Sequence, residues 1–331
     1  MLKIAGDLAD KGFVNAKSYH DILSRLNFTK SNLSLYKHIL FDLFLLTVSY
    51  MLASRGFWGR LAAAPCLASY MFRSFSLMHE AVHSIAHTRR AVNDWAGHVY
   101  GACSFLPYSQ WKAIHLQHHL WAGNLDMDPT MKIMKVFRDT GASPTAAQEF
   151  AWRWWLPLLA FRQQLVFWQK AYSEQDRKSR AIVFAESAAC VGFAFLCAWV
   201  FGAFAMIGAV LSYLVLIELI NFPHHTGLAQ NVEGARLAPR DQHKIARSVI
   251  YARWFNRYVL LNFNYHTEHH LFPTLPWAQL ENAHRFMREV LDGEFNLSYG
   301  NEWLIASRKI RFREILEKST ARDLEKTKLV L

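Results

Sequence analysis

Residues Ala181–His225 read AIVFAESAACVGFAFLCAWVFGAFAMIGAVLSYLVLIELINFPHH. Two apolar runs, Ala181–Val200 and Ala203–Phe222, are separated only by Phe201–Gly202. A helix needs ~20 mainly apolar residues to cross a bilayer, so each run predicts one crossing and the pair predicts a hairpin. Two shorter runs lie upstream, Ile39–Ala53 and Leu61–Met78, joined by Ser54–Arg60. Together they predict an all-α integral membrane fold with four transmembrane helices arranged as two hairpins. Asp42 and Arg73 sit near the ends of the first two runs, where each is expected to reach toward the headgroups. The polar stretch Asp7–Asn32 shows no apolar core with a small-residue cleavage site, so no signal peptide is expected.

Composition agrees. Of 331 residues, 52% are hydrophobic and only 19% charged, with 24 Phe, 12 Trp and 12 Tyr. That excludes a disordered chain, and the mean hydropathy of +0.02 fits several buried spans beside a sizeable polar part. Cys66, Cys103, Cys190 and Cys197 show no CxxC spacing, which argues against a disulfide or cysteine–metal scaffold. The net charge of +11 fits either nucleic acid or an anionic membrane surface. The apolar runs decide for the membrane, and no nucleic-acid partner is expected.

Lys and Arg concentrate in residues 1–38, 79–180 and 223–331, while the hairpin links carry only Arg55 and Arg60. By the positive-inside rule the termini and the middle segment are cytoplasmic. Three further stretches carry coarser expectations. Ala91–Pro107 reads as a re-entrant or buried segment. Trp152–Trp168, rich in Trp with Arg153 and Arg162, reads as a helix at the membrane interface, with Ser143-Pro144 as N-cap and first-position proline before it. Ala278–Leu331 reads as amphipathic helix. The expected division is a cytoplasmic segment 1–38, a membrane domain 39–280 and a helical tail 281–331.

The histidines carry the chemistry. HEAVHSIAH supplies His79, His83 and His87; HLQHH supplies His115, His118 and His119; HTEHH supplies His266, His269 and His270; His224 and His225 close the fourth run. Imidazoles spaced i, i+3 and i+4 share a helix face and can converge on a metal such as Fe, Zn, Cu or Ni. With 16 His in the chain, chance predicts roughly 0.04 matches to HxxHH, and two occur. All four clusters lie where the predicted topology brings them to one membrane face. His98, in the ambiguous apolar stretch, reads instead as a core histidine.

These three boxes, His79–His83, His115–His119 and His266–His270, resemble those of the membrane fatty acid desaturase and hydroxylase superfamily. So do their order, Trp111-Lys112, Asp128-Pro129, the YHTEHHLFP of Tyr265–Pro273, and an Asn-x-x-x-His element at Asn221 and His225. The resemblance covers roughly Ile39 to Leu280. It implies a non-haem di-iron site in a cytoplasmic helical cap. The implied ligands are His79, His83, His115, His118, His119, His225, His266, His269 and His270, with Asn221 acting through water. His87 and His224 extend the pattern, as ligands or as hydrogen-bonding neighbours of ligands. Glu80, Asp126, Asp128 and Glu268 are candidates to accept the second N–H of ligating imidazoles. Glu218, a carboxylate inside the fourth run, is either functional by default or paired with Arg73 or another cation.

The implied activity is O2-dependent insertion of a double bond into a fatty acyl chain. A hydroxylase or an oxidative decarboxylase on the same scaffold is the nearest alternative. A membrane metal-binding or transport protein is the alternative of another class, and it would place its ligands at mid-membrane. No HPGG motif, cysteine cluster site or dinucleotide fingerprint is seen, so electrons are expected from ferredoxin, rubredoxin or a cytochrome b5-type donor with its reductase. A bacterial inner membrane is the expected location.

Overall fold

The computed structural model describes residues 16–157, 160–161, 164–165, 168–169, 176–228, 236–291 and 295–320. Among them three helices are long and apolar enough to cross a membrane: α2 (Asn32–Ala53), α8 (Arg177–Phe201) and α9, whose Ala203–Ile220 runs on through a 3-10 turn to His224. They leave large apolar side chains exposed, including Leu40 and Phe44 on α2, Phe195 and Trp199 on α8, and Ile207 and Leu211 on α9. Such continuous apolar faces suit lipid rather than water. Gly202, at φ +90, makes the α8–α9 turn, a conformation that favours glycine.

The expected second span is longer than its apolar run. Helix α3 covers Gly56–Val82 and buries nearly all of its second half. It packs against α2, α9 and α4 (Arg90–Cys103). A Cβ at Gly208 of α9 would lie 3.0 Å from the Ala64 Cβ of α3, so glycine sets that close approach. Because α3 is the central helix, its polar residues are not free to reach headgroups. Arg73 and Asp42 turn inward and pair, Nε to Oδ1 at 2.5 Å, contrary to the expected outward reach. Desolvation of either charge alone would cost several kcal/mol, so the pairing wins.

The polar part is built from short elements. Helix α1 (Ala16–Arg25) packs on α12 (Trp277–Val290). Helix α5 (Tyr108–Trp121) follows α4, and α6 (Lys132–Thr140) and α7 (Ala146–Arg153) follow it. Later come α10 (Arg253–Tyr258), α11 (His266–Leu271), α13 (Glu302–Ser307) and α14 (Phe312–Thr320). The fold is not purely helical: β1 (Ser248–Ile250) pairs in parallel with β2 (Leu297–Tyr299), Ser248 opposite Leu297.

Ala91–Pro107 is mainly the helix α4, which buries one face, including Asn93, Ala96 and Tyr100. Other local expectations are corrected. The N-cap of α7 is Thr145, which forms a capping box with Gln148, because a hydroxyl three residues before a Gln side chain satisfies two free N–H groups; Ser143-Pro144 lies upstream. Helix α7 ends at Arg153; of the expected interfacial stretch to Trp168, residues 158–159, 162–163 and 166–167 lie outside the described residues, and 160–161, 164–165 and 168 are helical as expected. The single amphipathic helix expected over Ala278–Leu331 is broken by β2 and resumes as α13 and α14; residues 321–331 lie outside the description.

Candidate metal centre and adjoining cavity

Helix periodicity delivers the histidines in pairs. His79 is in the last turn of α3 and His83 caps it, one turn on. Helix α5 presents His115, His118 and His119, and α11 presents His266, His269 and His270. His225 follows the Phe222–His224 turn, where Pro223 cannot continue the α9 ladder. The nine rings form two groups: His79, His83, His115, His119 and His269, and then His118, His225, His266 and His270, with ligand atoms inside each group within 4.8 Å of one another. Both HxxHH boxes send members to each group, because adjacent helix positions diverge by ~100°.

The Nε2 atoms face one another. His118 to His225 is 3.1 Å, His225 to His266 is 2.9 Å, and His270 to His266 is 3.1 Å. In the other group His79 to His269 is 3.0 Å and His83 to His115 is 2.9 Å. The outer nitrogens show why this arrangement fits a cation. His118 Nδ1 meets a carboxylate oxygen of Asp128 at 2.7 Å, His225 Nδ1 meets the Ile245 carbonyl at 2.7 Å, and His270 Nδ1 meets Gln242 Oε1 at 2.8 Å. These partners only accept, so each Nδ1 carries the proton and each Nε2 a lone pair. Lone pairs at 3.1 Å repel unless a cation lies between them. Burial also holds the His115, His119, His266, His269 and His270 imidazoles well below their ordinary pKa, which keeps them neutral and able to ligate.

Some candidates go elsewhere. His87 belongs to neither group; its Nδ1 accepts the Arg89 N–H at 2.9 Å, closing a local turn. His224, fully buried, stacks on His266 at 4.0 Å with 11° between planes. Its neighbour His225 takes the inward position, since successive residues point apart. Glu80 accepts the Trp277 N–H at 3.2 Å, and Glu268 binds Ser248 Oγ and His284 Nδ1. Neither serves a grouped histidine, because each lies on the far side of its helix. Asp126 is exposed and pairs with Arg138 and Lys135. His98 is half-exposed, not core, and meets Glu186 at 2.7 Å. Glu218 pairs with Arg308 at 3.2 Å rather than with Arg73.

Sequence reading missed four contributors. Gln242 and the Ile245 carbonyl hold outer nitrogens, and both lie outside any box. Glu186, inside α8, accepts the Ser109 N–H at 3.0 Å and so satisfies the start of the box-bearing α5. Ser248 of β1 receives the Thr267 N–H at 3.0 Å. Only Glu186 carried a signal, as a carboxylate within an apolar run.

Beside both groups lies a cavity of about 660 Å³. Phe75, Trp111, Ile114, Ile217 and Phe263 line it together with His115, His118, His225, His266 and Asn221. Met131, Lys132, Val136, Phe312 and Leu316 also line it. An apolar volume of this size suits one long aliphatic chain.

The fatty acid desaturase family model matches residues 56–303, and the chain belongs to that family. Among its relatives, an sn-1 acyl-lipid omega-3 desaturase (ferredoxin) of Synechocystis is 25% identical over 67% of this chain and 65% of its own length. A fatty acid desaturase of Bacillus subtilis is 24% identical over 72% and 69%. The sphingolipid delta(4)-desaturase DES1 of Drosophila melanogaster is 25% identical over 70% and 67%. The chain thus spans about two thirds of the length of these curated relatives.

Proposed function

We propose that this protein is an integral membrane, O2-dependent oxidoreductase that introduces a double bond into a fatty acyl chain carried by a lipid. The observation that carries the reading is the pair of converging histidine groups opening on one apolar cavity. The desaturase names of the relatives favour desaturation over hydroxylation or decarboxylation.

One iron would be held by His79, His83, His115, His119 and His269, and the other by His118, His225, His266 and His270. Asn221, which lines the same cavity as His225, would act on the second group through water. With both irons bound, O2, two electrons and two protons convert two neighbouring methylenes to an alkene and two waters. The chain's own residues hold and dry the site. Asp128, the Ile245 carbonyl and Gln242 keep protons on the outer nitrogens. Phe75, Trp111 and Phe263 exclude water and confine the acyl chain, so that neighbouring carbons pass the metal-facing wall in order. Ferredoxin, rubredoxin or a cytochrome b5-type protein supplies the electrons.

In this reading α3 is a fourth span. The polar elements form a cytoplasmic cap, the termini are cytoplasmic, and the membrane is a bacterial inner membrane. The division into 1–38, 39–280 and a tail 281–331 belongs to the same proposal. Metal analysis and ⁵⁷Fe Mössbauer spectroscopy of the purified protein test it. Two high-spin irons per chain are expected; tightly bound zinc, or a single iron that cannot be raised to two on loading, would overturn it.

A further inference from the structure

Gln242 touches both histidine groups at once. It lies in the 3-10 turn Pro239–Lys244, is 4% exposed, and belongs to no histidine box. Its Nε2 donates to the backbone carbonyl of His119 at 2.9 Å, and its Oε1 faces His270 Nδ1 at 2.8 Å. His119 belongs to the five-histidine group and His270 to the four-histidine group.

The orientation of this amide is forced. A backbone carbonyl only accepts, so the NH₂ end must face His119, and the oxygen is left for His270. That oxygen in turn requires the proton on His270 Nδ1, which leaves the lone pair on Nε2, 3.1 Å from His266 Nε2. The backbone of one box thereby dictates which nitrogen of another box is free to bind metal. Asp128 does the same for His118, but from the loop after its own helix. Gln242 reaches across from a different segment and ties α5 to α11.

We propose that Gln242 is a positioning residue that fixes the His270 tautomer and thereby the metal affinity of the four-histidine group. The inference rests on the di-iron reading above. The parent protein's iron count tests that reading, and the variants, compared with the parent, test this one. Loss of such a hydrogen-bonding partner typically lowers metal affinity about 10–100-fold.

The experiment compares purified Gln242→Leu and Gln242→Glu with the parent, each loaded with ⁵⁷Fe(II). Retained iron is followed against a graded chelator, and Mössbauer spectra identify which iron leaves. Gln242→Leu should lose one iron at a chelator concentration about 10–100-fold lower than the parent. Gln242→Glu still offers an acceptor to His270 Nδ1 and should retain that iron better than Gln242→Leu. Thermal unfolding in detergent confirms that both variants are folded. Equal retention by Gln242→Leu and the parent would overturn the proposal. So would equal losses in the two variants, since both lose the bond to the His119 carbonyl and Gln242 would then act through that bond. If Gln242→Leu does not fold, Gln242→Met, which keeps the side-chain length without the amide, takes its place: iron lost at lower chelator concentration than in the parent supports the proposal, and retention equal to the parent overturns it.

Discussion

Asp42 on α2 and Arg73 on α3 form an ion pair that is almost wholly buried, with Arg73 1% and Asp42 4% exposed. Arg73 also donates to the Tyr258 carbonyl, contacts His38 Nδ1 at 3.2 Å and lies over the Phe41 ring at 4.5 Å. One guanidinium therefore joins two long helices to the last residue of α10. Removing one partner of such a pair leaves an uncompensated buried charge, which costs about 3–5 kcal/mol. Asp42→Ala should lower thermal stability in detergent markedly, and Asp42→Asn, which keeps an acceptor, should lower it less. Equal melting temperatures for Asp42→Ala and the parent would refute the assignment.

Asp128 is the one predicted carboxylate that meets a grouped histidine. It accepts from His118 Nδ1 and also from the Thr130 N–H at 2.9 Å. Asp128→Ala should weaken iron retention about 10–100-fold, read by chelator titration, while helical content by circular dichroism stays near that of the parent. Unchanged retention would show that the Asp128 contact does not support the site.

Glu218 and Arg308 clasp the C-terminal helices to the end of α9. Arg308 also donates to the Trp152 carbonyl at 2.9 Å and lies 3.8 Å over the Trp152 ring. Phe312 and Leu316, which follow on α14, wall the cavity. Arg308→Met leaves Glu218 without its cation but keeps its bond from the Ala160 N–H. Limited proteolysis should then cut the region after Ser307 faster than in the parent, because a clasp lost to local opening exposes backbone. Cleavage at the parent rate would argue that α14 is held by its apolar face alone.

Val136 is half-exposed and lines the cavity, so a larger side chain there can narrow it without disturbing a packed core. Val136→Trp should lower kcat/KM for long acyl chains roughly 10-fold with iron content unchanged. Activity at the parent level would mean that the acyl chain does not pass Val136.

The legible part of the fold was whatever periodicity reports. Apolar runs gave α2, α8 and α9, i, i+3, i+4 spacing marked the histidine boxes, and the family resemblance picked out the nine histidines that the fold gathers into two groups. The illegible part depends on long-range contacts. Nothing in the sequence of Gln242 or Ile245 distinguishes them, because their role arises only when the 3-10 turn after Ala238 lands on α11. Asp42 and Arg73 are 31 positions apart, so their pairing was invisible and each was read as an isolated charge. Glu268 lies inside a box, yet its helix position turns it toward Ser248 and His284. Box membership reports which helix a residue shares with the ligands, not which way it faces.

The most direct test of the account is lipid analysis by mass spectrometry after expression with a compatible electron donor, beside His118→Ala. The account predicts lipid acyl chains two mass units lighter than their precursors, with the double bond located by fragmentation, and none in the variant. Products sixteen units heavier, or a terminal alkene one carbon shorter, that vanish in the variant would contradict desaturation.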